Sequence, residues 1–388
     1  MAQRRDKQCR AVAVPVCPED SRPSCQGLRE AERIKRWMSL RILVYVALPL
    51  FSAAAAEPRD YLGAQTCSAC HPAQTRLQAS SGHAFALRPA AEHPQSRLFF
   101  REGRRTRPPD FVFQFQKDFL VRISNSTAQV DVPIEWAFGA GSQAVTLVSR
   151  VNAGSYIEHF FSYYRALNGL APTPGQRELK PAGLAEAAGL YYKTRDPNIG
   201  IDGCFECHTT GPLQFAADNT IRPFELGVRC ESCHGAGRKH VEAASRRNGE
   251  VSGAIGNPGR LSAVAQLEFC GRCHRPPGRM DSAIDWSSAW NVRHQPPYLA
   301  ESECFRKSNG ALSCLTCHRP HEPLQRSSEA YNVQCWQCHK QPPEACATNC
   351  IDCHMPLVSP EPPLRFTNHR IGVYDSAAKL TPRRRSPR

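Results

Sequence analysis

Apolar and polar residues alternate with period two along one stretch of this 388-residue chain. Between Pro108 and about Tyr164 lie the runs Phe111-Val-Phe113-Gln-Phe115-Gln, Leu120-Val-Arg-Ile123, Ala128-Gln-Val130-Asp-Val132 and Ala144–Val151, broken by Asn125, Pro133, Gly139 and Gly141. That pattern predicts short antiparallel strands joined by turns. A second run, Ile42–Phe51, is continuously apolar but far shorter than the ~20 residues that span a bilayer. It follows Met38-Ser-Leu-Arg41 and precedes Ser52-Ala-Ala-Ala-Ala56, so residues 38–56 read as the n-region, h-region and cleavage site of a signal peptide. Residues 1–37 are then an over-extended N-terminus, with a true cytoplasmic extension of an uncleaved anchor as the alternative. From Leu170 onwards Pro and Gly recur, no strands are expected, and helices look short.

One five-residue word organises the rest. Cys-x-x-Cys-His occurs at Cys67-Cys70-His71, Cys204-Cys207-His208, Cys230-Cys233-His234, Cys270-Cys273-His274, Cys314-Cys317-His318, Cys335-Cys338-His339 and Cys350-Cys353-His354. Two thiols three residues apart lie on one side of a turn and can each add to one vinyl group of a haem. The histidine that follows sits beneath the iron as proximal ligand. Paired CxxC motifs also build tetrahedral zinc sites, but zinc needs no histidine fixed after the second cysteine in every copy. The words therefore predict seven covalently attached haem c groups. Cys304 and Cys346 remain outside them beyond residue 57, as a disulfide or as buried thiols.

Haem supplies a core that a Pro- and Gly-rich segment cannot build from its own side chains. The expected fold is mainly α and irregular, packed on haem, with a small antiparallel β-module inserted after the first haem. The expected segments are 57–107 for the first haem, 108–165 for the β-rich module and 166–388 for six haems. A compact body of 332 residues has a radius of gyration of roughly 20 Å. Neighbouring irons among seven then lie on the order of 20 Å apart or less, close enough for electrons to hop.

Seven further histidines remain: His83, His93, His159, His240, His294, His321 and His369. A count equal to the number of words raises the prior for a distal ligand on each haem. His83, His240 and His369 are the leading distal candidates, with His294 and His321 beside them. His321 cannot reach the far face of the His318 haem but can serve a neighbour's, and His159 reads as structural. Met280 and Met355 are the thioethers beyond residue 57, so histidine–methionine ligation is a minority case at most.

Charge changes the picture little. The formal net charge of +14 falls to +9 once residues 1–56 are removed, and fourteen haem propionates carry it to about −5 with ferrous irons. The basic runs Arg101–Arg107 and Arg383–Arg388 are read as solvated surface or propionate partners, and no nucleic acid is expected as a partner.

Tyr61-Leu-Gly-Ala-Gln-Thr-Cys67 with His83 downstream, Gly227-Val-Arg-Cys230-Glu-Ser-Cys233-His234-Gly-Ala-Gly with His240, and Asn349-Cys350-Ile-Asp-Cys353-His354-Met355-Pro356 resemble multihaem c-type cytochromes of the cytochrome c554 type. That group is related to the hydroxylamine oxidoreductase and pentahaem nitrite reductase superfamily. The resemblance covers most of the chain outside residues 1–56 and the β-module, and it implies His83, His240 and His369 as distal ligands. The Cys-x-x-Cys-Lys word of the pentahaem nitrite reductases is absent. Two functions are expected. The first is an exported, periplasmic electron carrier with mostly bis-histidine haems and no catalytic residue. Its partners would be redox proteins, a membrane quinol-linked donor or a periplasmic acceptor, in a membrane-associated complex. The alternative is an oxidoreductase acting on a small nitrogen or sulfur oxyanion at one open-site haem.

Overall fold

Strand-forming alternation becomes two antiparallel sheets in the computed structural model, which describes residues 57–99, 103–198, 200–246, 251, 253–275, 284–339, 349–375 and 379–383. The N-terminal segments 1–37 and 38–56 and the Cys346 half of the expected cysteine pair lie outside these residues. The strands are β1 (Leu87–Pro89), β2 (Arg104–Arg107), β3 (Phe111–Gln116), β4 (Leu120–Ser124), β5 (Gln129–Pro133), β6 (Trp136–Phe138), β7 (Ala144–Asn152), β8 (Ser155–Tyr164), β9 (Gly169–Pro172) and β10 (Gly189–Lys193). One sheet runs β2-β3-β4-β5. The other runs β1-β6-β7-β8-β10, with β9 also paired to β8.

The sheets meet through the side chains that the alternation puts on one face. Phe111, Phe113 and Phe115 of β3 and Val121 and Ile123 of β4 are buried against Leu147 of β7 and Ile157 and Phe161 of β8. Phe113 and Phe161 meet edge to face at 5.0 Å. Each such side chain contributes about 1.5–3 kcal/mol by leaving water. β8 is buried along nearly its whole length, because the second sheet also carries cover on its other side.

Strands also occur where none was expected. β9 and β10 follow residue 165, and two-residue ribbons pair Thr209–Thr210 with Glu225–Leu226 and Leu357–Val358 with Phe366–Thr367. Such short pieces show no measurable alternation, so periodicity cannot find them. The basic run Arg101–Arg107 is corrected at one position. Arg107 is 3% exposed, lies over the Phe160 ring and donates to the carbonyls of Leu179, Glu186 and Ala187.

A second core joins the sheet to the helical part. Leu87, Phe138, Val148 and Tyr156 pack on Ile201 and Phe205, and Phe205 meets Phe138 at 5.1 Å and Tyr156 at 5.8 Å. Phe205 lies between the two cysteines of the second haem word, so the β-sheet itself holds that word in place. The helices are short, and among the described residues none is long and apolar enough to cross a membrane.

Candidate haem sites

Every word sits on or beside a helical turn, which is what its spacing requires. The helices are Ala64–Ser68, Asp202–His208, Cys230–His234, Ala263–His274, Cys314–Cys317, Ser328–Trp336 and Cys350–His354. On a helix, residues i and i+3 share a face, so each cysteine pair points one way. Polar caps start several of these turns. The Ser262 hydroxyl accepts from Ala265 N–H, the Asn349 side chain accepts from Asp352 N–H, and Ser313 and Thr316 form a capping box.

The first and third words are tied together by one carboxylate. Glu231, 2% exposed, accepts from the N–H groups of Leu62 (3.0 Å), Gly63 (2.7 Å) and Gly237 (2.7 Å). Glu225 accepts from Ala64 N–H at 3.1 Å. Donors that a helix start leaves unpaired are thus satisfied from about 160 residues away. Nearby, Val228 N–H donates to the His83 carbonyl at 2.9 Å, and Gly227 adopts φ +77° where a Cβ would strike the Ala84 carbonyl. Only glycine allows the two segments to close there. The closure fixes His83.

Four word histidines then each meet a histidine from outside the words. Ring centres are 6.2 Å apart for His71 and His240, 6.2 Å for His83 and His274, 6.0 Å for His234 and His321, and 6.2 Å for His318 and His369. A metal–imidazole bond of about 2.0 Å, with roughly 1.2 Å from nitrogen to ring centre, puts two axial imidazoles about 6.4 Å apart. The four observed ring separations match that spacing. Four of the five distal candidates are therefore brought opposite a proximal histidine, each from a distant part of the chain.

Ring nitrogens are assigned by their partners. Nδ1 of His208 donates to the Ala86 carbonyl (2.7 Å), that of His234 to Gly256 (2.8 Å), that of His354 to Gly372 (2.8 Å) and that of His369 to Thr367 (3.0 Å). A carbonyl only accepts, so Nδ1 carries the proton and Nε2 keeps the lone pair that a metal needs. Burial holds the His369 and His274 rings down to about 4, neutral as ligation requires; His83 and His318 add to the effect on His274, and His318 to that on His369.

The equality of spare histidines and words does not translate into seven such pairs. His93 donates through Nε2 to the Gly139 carbonyl and accepts through Nδ1 from Gln95 N–H. His159 bonds Ser149 at 2.7 Å inside the sandwich. His294 is 5% exposed and its Nδ1 has no hydrogen-bond partner. Among the described residues no second histidine ring stands beside His294, His208, His339 or His354.

Thiols of different words also touch. Cys67 lies beside Cys230, Cys207 beside Cys273, Cys270 beside Cys314, and Cys335 beside Cys350. Cys233 lies within electrostatic range of Cys270, and Cys317 of Cys335. Groups attached at these sulfurs are neighbours.

Known proteins agree with this chemistry. Residues 183–235, which include the second word and most of the third, match the family model for cytochrome c554 and c-prime. The chain is 22% identical over 408 residues to the dissimilatory sulfite reductase MccA of Wolinella succinogenes, covering 78% of this chain and 51% of MccA. It is 24% identical over 167 residues to the C-type polyheme cytochrome OmcC of Geobacter sulfurreducens, covering 33% of this chain and 21% of OmcC. The chain is a multihaem c-type cytochrome. It spans about half the length of MccA and about a fifth of OmcC. Among solved structures, the outer cell wall cytochrome OcwA aligns with TM-score 0.47 at 14% identity, over 80% of this chain and 79% of OcwA.

The cytochrome carries covalent haem c. One of the three words without a paired histidine stands beside a cavity. Beside Cys204 and His208 lies a cavity of 220 Å³, lined also by Phe138, Thr146, Glu158 and Tyr192. The Phe138 ring stands 5.3 Å from that of His208. Glu158 and Tyr192 were not singled out by motif. The available signal was an acid inside an otherwise apolar strand, Tyr156-Ile-Glu158-His-Phe-Phe161.

Proposed function

We propose that the cytochrome is an exported heptahaem electron conductor, with haem c at each of the seven words. The four histidine pairs are the observation that carries this reading. They would make bis-imidazole haems of the irons under His71, His234, His274 and His318, with His240, His321, His83 and His369 opposite them. Such irons are six-coordinate and of lower potential than histidine–methionine irons. Their proximal and distal residues hold the iron, and the haem itself supplies the one-electron chemistry.

Neighbouring cysteines set the order of transfer in this reading. The first word adjoins the third (Cys67 and Cys230), the third the fourth (Cys233 and Cys270), the fourth the fifth (Cys270 and Cys314), the fifth the sixth (Cys317 and Cys335) and the sixth the seventh (Cys335 and Cys350). The second word branches from the fourth through Cys207 and Cys273. The β-rich region lies in sequence between the first haem and the other six and acts as a rigid support for the branch. Donor and acceptor would be redox proteins, a quinol-linked membrane donor or a periplasmic acceptor.

A second reading is favoured by the branch itself. The His208 iron would sit at the end of a path, without a second histidine, beside a cavity. A small molecule could then reach it, as a reductase of the kind named for MccA needs. Stopped-flow mixing of the reduced protein with carbon monoxide separates the two readings. Pure conduction predicts no stoichiometric binding at the His208 haem. Fast binding at one haem, lost when the second-word haem is removed by Cys204→Ala with Cys207→Ala, would favour the enzyme.

A further inference from the structure

Glu158 stands on a strand that is buried along most of its length, and it lines the cavity beside Cys204. Its hydrogen bonds are to neutral groups: Gln176 Nε2 donates at 2.9 Å, and the Tyr192 hydroxyl is the other partner. Neither is an iron ligand. The titratable groups around it are Tyr192 on β10, Tyr164 further along β8, Cys204 on the Asp202–His208 helix, and His208, kept neutral by burial, on the same cavity. All are neutral or acidic. Among the described residues lining the cavity there is no arginine or lysine.

A carboxylate in such a place lacks a counter-charge of its own, and burial pushes the Glu158 carboxyl above the usual range against the pull of Gln176 and Tyr192. The charge that changes beside it is the haem's. A ferric haem carries one more positive charge than a ferrous one, and that charge favours the carboxylate. In a poorly solvated site the influence is strong.

We propose that Glu158 takes up a proton when the haem attached at Cys204 and Cys207 is reduced, so that one electron and one proton enter this site together. The electron comes from the neighbouring haem of the fourth word and converts Fe(III) to Fe(II). The proton comes from solvent and converts the Glu158 carboxylate to the acid. Reoxidation returns both, and no covalent bond is made or broken. The proposal rests on haem attachment and ligation at the second word, and not on whether that iron has an open sixth position.

The test uses the fully haem-loaded protein in redox-difference infrared spectroscopy and in spectroelectrochemical titration across pH. Reduction of the parent should produce the C=O band of a protonated carboxyl, and one haem's potential should fall as pH rises. In Glu158→Gln the band should vanish and that haem's potential should become independent of pH in the same range, while the others keep their behaviour. Intact mass on the same samples counts the haems. If the glutamine variant loses a haem, Glu158→Asp takes its place and should shift the band. A band unchanged in position and size in either haem-complete variant overturns the proposal, as does a parent that shows none. A parent without haem at the second word overturns the ligation itself, a distinct failure.

Discussion

The imidazoles of His71 and His240 face each other at 6.2 Å with planes 23° from parallel, although 169 residues separate them in the chain. The carboxylate of Glu231 explains how they meet. It binds the start of the first word's helix on one side and the Gly237 amide, just before the His240 helix, on the other. Replacing His240 by Gly should leave the His71 iron five-coordinate and high-spin, without loss of any haem. The check is an electronic absorption and magnetic circular dichroism comparison with the parent. Added imidazole should restore the low-spin spectrum.

Removing the tie should cost stability. Glu231→Ala leaves one buried and two part-buried N–H groups without an acceptor, and at about 1–3 kcal/mol for a buried one a loss of roughly 3 kcal/mol is expected. Glu231→Gln keeps one acceptor oxygen and should lose less. Denaturant titration of the two variants measures the difference.

His159 sets an acid limit on the sandwich. Burial lowers its ring to about 4 from an ordinary 6.5. In that window the unfolded chain binds the additional proton, so stability is complete above pH 6.5 and falls as pH drops towards 4. At about 1.4 kcal/mol per unit, the loss approaches roughly 3 kcal/mol. His159→Gln should lower stability at neutral pH but flatten this acid slope. Unfolding at pH 7 and pH 4.5 tests it.

The seven words were legible because covalent chemistry fixes their spacing, and the strands β3, β4 and β7 because one face of each is buried. The short β1 and β9 carry too few residues for a period, and β10, Gly-Leu-Tyr-Tyr-Lys, does not alternate. Distal histidines are harder. His321 lies three residues after His318 yet faces His234, since the partner is chosen by packing and not by distance along the chain. His93 and His159, outside the distal candidates in the sequence, are held by hydrogen bonds to Gly139, Gln95 and Ser149. Arg107 reads as surface in a basic run and is buried under Phe160, because three carbonyls replace its water.

The electron paramagnetic resonance spectrum of the fully oxidised cytochrome tests the histidine pairs most directly. With irons between His71 and His240, His83 and His274, His234 and His321, and His318 and His369, at least four low-spin ferric centres per molecule are expected. The 66° pair, His83 and His274, should give a more axial signal than the 18° pair, His234 and His321, since crossed ligand planes leave the iron orbitals nearly degenerate. High-spin signal should be confined to the irons of His208, His339 and His354, at most three per molecule. Fewer than four low-spin centres, or high-spin iron beyond those three, would contradict the proposed ligation.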